Sequence, residues 1–247
     1  MLTNPDRPKQ IKEFVDKDHP VMHEYYRLLE TGPDASSLKK ELWRLIDQDP
    51  LFFDPYLALA KILLEEGKPR IAHGLIHGAY ERAIPLIADK EGNWPRKMEW
   101  GVLENRHILR AITQYAHLLW EEGKLEEALD VCRRLLKMSP SDNLGIRFVI
   151  LAIRLRLGPK SEDAFGMADL AGQTMDATKV NDWFERNARK FPAEFDWLIK
   201  KWKSMGFYFL QRKQPSTYIK VESGRLWTWL QKRKDDWRSA WCEPGAK

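Results

Sequence analysis

Two hexapeptides share five of their six residues, and this constrains the chain more than any other feature. Leu63-Leu64-Glu65-Glu66-Gly67-Lys68 matches Leu119-Trp120-Glu121-Glu122-Gly123-Lys124 at an offset of 56 residues. Around each copy the apolar residues follow helical spacing. Ile108, Ile112, Tyr115, Ala116, Leu118 and Leu119 form a stripe with a period near 3.6, so one face must be buried. Gly123 can adopt the left-handed conformation that ends a helix. A second stripe follows through Leu125, Ala128, Leu129, Cys132, Leu135 and Leu136, and Pro140 closes it. At the same offset Ala60 aligns with Ala116 and Ala72 with Ala128. Recurrence of this kind predicts stacked supersecondary units, each burying its apolar face on a neighbour.

The recurring small residues, turn glycine and closing proline resemble the tetratricopeptide repeat (TPR) family. The positions are Ala116, Gly123, Ala128 and Pro140 in one copy, and Ala60, Gly67, Ala72 and Pro85 in the other. Two small residues at a helix crossing permit close ridge-into-groove contact. The offset exceeds the ~34-residue TPR period by about 22, and the excess falls between Ile87 and Arg106. Segments 20–31 and 35–48, broken by Gly32-Pro33, read as an earlier TPR-like hairpin. A helix over 142–157 is expected to open under a Ser141 or Asp142 cap. Residues 104–147, from Glu104-Asn105-Arg106 to Asp142-Asn143-Leu144-Gly145-Ile146-Arg147, are similar to the suppressor-of-tumorigenicity TPR-like group and to bacterial TPR proteins.

The resemblance implies an all-α, TPR-like hairpin array, an α-solenoid, over 1–165. It also implies a concave groove lined by the first helix of each hairpin. Carried onto this sequence, the lining positions are Asp54, Leu57, Lys61 and Leu64, then Arg110, Thr113, His117 and Trp120, then Leu144, Arg147, Leu151 and Arg154. Lys61, Arg110, His117, Trp120, Arg147 and Arg154 are therefore the expected partner-binding residues. Their charge suits an acidic protein segment. The opposing reading pairs the arginines with nearby acids such as Glu104 and Asp142.

Composition matters most at the other end. Residues 183–247 hold 15 lysines and arginines against 7 acidic residues, a balance of +8, which leaves −3 for the rest of the chain. Seven of the 11 tryptophans lie there too. Region 166–247 thus reads as a basic, aromatic helical extension. It has helices at 178–190, 192–204 and 226–241, with a short β-hairpin or irregular chain over 206–222. Lys200, Lys201, Trp202, Lys203, Arg212, Lys213, Arg225, Trp227, Lys232, Arg233 and Lys234 interleave cations with stacking planes, as single-stranded nucleic-acid binders do. Ahead of that reading stand a small aromatic core, which Phe195, Trp197 and Trp202 fit, and then a partner interface.

Catalytic patterns are sparse. His19/His23 and His73/His77 are i,i+4 pairs that would share a helix face, but a zinc enzyme needs three protein ligands, and Gly74 stands where a zincin carries its glutamate. No metal or cofactor is expected. Cys132 sits on a packing stripe. The longest apolar run, Phe148 to Ile153, falls far short of the ~20 residues of a membrane span. The N-terminus lacks a secretory apolar core, so the sequence predicts a cytoplasmic, non-enzymatic adaptor. The alternative is a nucleic-acid-associated subunit of a larger complex.

Overall fold

A computed structural model describes residues 11–159 and 177–205. It is all-helical over these residues, with no strand. The helices are α1 (Pro20–Thr31), α2 (Ala35–Gln48), α3 (Asp54–Glu65), α4 (Pro69–Ile87), α5 (Arg106–Glu121), α6 (Leu125–Met138), α7 (Ile146–Arg154), α8 (Ala177–Ala188) and α9 (Pro192–Ser204). The chain divides into two compact units, one ending at Ile146 and the other starting at Arg147. The expected boundary at 165/166, the hairpin at 206–222 and the helix at 226–241 lie outside the described residues.

In the first unit each helix from α1 to α6 packs on its sequence neighbours, and α3 also meets α5. The crossings are built on the recurring alanines: Ala60, Ala72, Ala116 and Ala128 are all 1% exposed or less. A side chain larger than a methyl group there would hold the helices apart.

The two matching turns are superimposable in chemistry. Gly67 and Gly123 have φ of 71° and 75°. The Lys68 amide donates to the Leu63 carbonyl at 2.8 Å, and the Lys124 amide to the Leu119 carbonyl at 2.8 Å. These are the long bonds of the Schellman motif, which satisfies carbonyls that a helix end leaves without partners. Lys68 pairs with Glu66 and Lys124 with Glu122, both at 2.8 Å. The same turn closes α7, where Leu157 donates to Ala152 at 3.0 Å. Its left-handed residue is Arg156, with φ of 58°.

Three expectations need correction. Pro85 lies inside α4 instead of closing it, and the helix runs on to Ile87. The helix predicted over 142–157 begins only at Ile146, because Asp142 is itself left-handed (φ 51°) and its carboxylate accepts from the Ile146 amide at 2.6 Å. His19 and His23 do not share a helix face. Pro20 opens α1, so His19 is the extended residue before it, buried at 1%, while His23 is exposed.

The second unit has an aromatic centre. Phe184, Phe195 and Trp202 are 1% exposed or less. Phe184 meets Phe195 edge-on at 5.1 Å and Phe148 edge-on at 5.9 Å, the preferred geometry for ring quadrupoles.

Candidate functional site

Two buried polar clusters lie in the first unit, and both grow from the start of α5. The first forms around residues 11–19. This segment is neither helix nor strand and lies against residues 96–107. Phe14 donates its amide to the Lys97 carbonyl at 2.9 Å, and Arg96 donates to Ile11 at 2.9 Å. Asn105, fully buried, clasps the segment's main chain: its Oδ1 accepts from the Asp16 amide at 2.9 Å, and its Nδ2 donates to the Phe14 carbonyl at 3.2 Å. Nδ2 also donates to the Glu99 carbonyl at 3.2 Å. With its side chain spent this way, Asn105 precedes α5 without capping it.

The Asp16 carboxylate meets two buried histidines. His107 Nε2 is 2.8 Å and His19 Nε2 3.0 Å from the same oxygen, Oδ2. His19 Nδ1 reaches the Asp49 carboxylate at 2.7 Å. Burial alone would raise the Asp16 carboxyl, but the hydrogen bonds from His107 and His19 outweigh it and hold the group below its ordinary value. Rings of Phe52 and Phe53 lie 5.1 and 5.2 Å from His107.

Asp16, His19 and His107 are residue types that hold metals, and their ligand atoms lie within 4.8 Å of one another. The second nitrogen of His107 decides what the cluster does. Nδ1 accepts the Phe53 amide hydrogen at 3.2 Å, so the neutral ring carries its proton on Nε2 and donates it to Asp16. A metal on Nε2 would need that proton moved to Nδ1, against the Phe53 N–H. The cluster is a closed hydrogen-bond network.

The second cluster is the ion pair of Arg110 with Asp54. Asp54 is 3% exposed. The Tyr26 hydroxyl donates to the same Asp54 oxygen at 3.4 Å, and Arg110 approaches that hydroxyl at 3.5 Å. The Trp100 ring lies 5.3 Å from the Arg110 guanidinium and 5.2 Å from that of Arg106. Burial works against the Arg110 charge, and the attraction of Asp54 more than offsets it.

The residues expected to bind a partner are placed unevenly. Arg110 is engaged as above. Trp120 is in the core at 4% exposure. Lys61 and His117, 56 positions apart, are both half-buried. Lys61 lies 3.7 Å from Glu65, and burial pushes the His117 imidazole down to about 4. Leu64 is exposed. Arg147 and Arg154 belong to the second unit. The Arg147 guanidinium lies 3.9 Å from the Phe148 ring and donates to Asn181 at 3.2 Å, while Arg154 donates to Glu194 at 2.8 Å. Two of these arginines pair with acids: Arg110 with Asp54 and Arg154 with Glu194.

On α9, Lys200, Lys201 and Lys203 are exposed, whereas Trp202 is buried and cannot serve as a stacking plane. Arg212, Lys213, Arg225, Trp227, Lys232, Arg233 and Lys234 lie outside the described residues. Cys132 is fully buried, and burial raises its thiol to about 12, which fits packing and not nucleophilic chemistry.

No family model matches the chain, and neither do any curated protein or solved structure. Asp16 and Tyr26 were not singled out from the sequence, Asn105 entered only in the Glu104-Asn105-Arg106 opening, and Asp54 only as a groove-lining position. Only the Asp54–Arg110 pair left a signal there: opposite charges at equivalent positions of the repeat.

Proposed function

We propose that the chain is a non-enzymatic adaptor that holds a protein partner on its recurring helical hairpins, in the manner of TPR-like arrays. The observation that carries this reading is the exact recurrence of the hairpin turn, with the same hydrogen bonds, ion pair and buried alanines in α3–α4 and α5–α6. Such units stack by nearest-neighbour contact and leave one helix of each hairpin to present side chains. In these two hairpins Lys61, Leu64, Arg110 and His117 are the groove positions that keep exposed surface. The polar clusters of the first unit are spent on internal bonds, which favours a binding role over catalysis.

The test is quantitative capture from the native host with the full chain and a Lys61→Glu/Leu64→Glu variant. Lys61 is half-buried and Leu64 exposed, and circular dichroism checks that the variant folds. Proteins retained by the wild type and lost by the variant support the groove, and an unchanged set overturns it.

A further inference from the structure

The segment 11–16 is held as a bound peptide would be. Its main chain is read by the Lys97 carbonyl, the Arg96 amide and both ends of the Asn105 amide; of its two acidic side chains, Asp16 is read by His107 and His19, and Glu13 pairs with Lys97 at 3.0 Å. What it lacks is a fully buried apolar anchor. No residue from Ile11 to Asp18 is buried as a whole, Ile11 and Phe14 are half-buried, Val15 is 58% exposed, and the Asp16 side chain is 9% exposed. Leaving the site therefore costs little apolar burial. The groups left behind (Asn105 fully buried, His107 at 1%) are costly without partners and call for the same ligand chemistry.

We propose that residues 96–107 form a peptide-docking site, occupied in cis by residues 11–16. A partner can enter it with an extended acidic segment that presents an aspartate two residues after an aromatic one, as Phe14-Val15-Asp16 does. Asn105 fixes the main-chain register of the incoming segment, and His107 and His19 select its carboxylate. The tether keeps the cis segment at high effective concentration, so it competes with every incoming peptide. The site lies apart from Lys61 and His117 and does not depend on the groove reading.

The experiment is fluorescence anisotropy with a labelled peptide of sequence Ile11–Asp18 and the full-length chain. An Asp16→Ala chain, its own segment loosened and its site intact, takes up the peptide saturably. The wild type does so at least about tenfold more weakly. An Asp16→Ala/Asn105→Ala chain does not bind it, and the peptide carrying Asn in place of Asp16 loses about tenfold. No uptake by the folded Asp16→Ala chain, or uptake indifferent to Asn105, overturns the proposal. Should Asp16→Ala unfold, hydrogen exchange on the wild type decides. The Phe14 and Asp16 amides should exchange by local opening well before the Ile112 amide. Equal protection at all three would mean the segment leaves only on global unfolding, and the proposal fails.

Discussion

Asp54 and Arg110 hold the same place in two copies of one repeat, 56 residues apart, and bind each other. The pairing joins the openings of α3 and α5, two helices that are not neighbours in sequence but meet in the fold. Tyr26 from α1 and Trp100 from the inter-repeat segment close around it. A repeat that had stayed identical could not do this, since like charges would face each other.

Removing one member of this pair strands the other. Asp54→Ala is expected to cost about 2–3 kcal/mol, because the Arg110 charge remains half-buried without its carboxylate. The exchange Asp54→Arg/Arg110→Asp should recover part of the loss. Urea midpoints of the two single variants and the double variant give the coupling directly.

The His117 imidazole titrates near 4 in the folded chain and near 6.5 when unfolded. Between these values the unfolded chain binds more protons, so stability falls as pH drops from about 6.5 towards about 4. Denaturant titrations across this range should show a shallower slope for His117→Gln. An unchanged slope would assign the acid loss elsewhere.

The left-handed turn residues set opposite expectations for two kinds of substitution. Gly67→Ala and Gly123→Ala should each cost about 1 kcal/mol, since a β-carbon is strained at that φ. Arg156→Gly should instead stabilise the chain by a similar amount, because the α7 turn already carries the strain. Thermal melts of the three variants test the sign.

A thiol pushed up to about 12 inside the core does not react. In a Cys242→Ser chain, a disulfide reagent should find no thiol under native conditions and one thiol in denaturant. Rapid native labelling would show that α6 opens.

Local rules carried most of the fold. The bounds read for the first hairpin, 20–31 and 35–48, are those of α1 and α2, because Pro20, Gly32-Pro33 and the Asp34 cap act within a few residues. The turns at Gly67 and Gly123 were legible for the same reason. Pro85 misled because a proline near a helix end resembles a stop, yet α4 absorbs it two residues before its own end. The polar clusters were hidden by distance: Asp16 and His107 are 91 positions apart, and no periodicity connects an irregular segment to a helix start. The i,i+4 reading of His19 and His23 assumed a helix that begins one residue too late to include His19.

The clasp of Asn105 and His107 on residues 14–16 also has a consequence for biosynthesis. The segment is made first, but its site is completed only when residue 107 follows. At typical translation rates of about 5–20 residues per second, the wait is roughly 5–20 seconds. During that interval the Phe14 main chain and the Asp16 carboxylate are without the partners that Asn105 and His107 later supply. Residues 14–16 thus take their place only after α1 to α4 have been made.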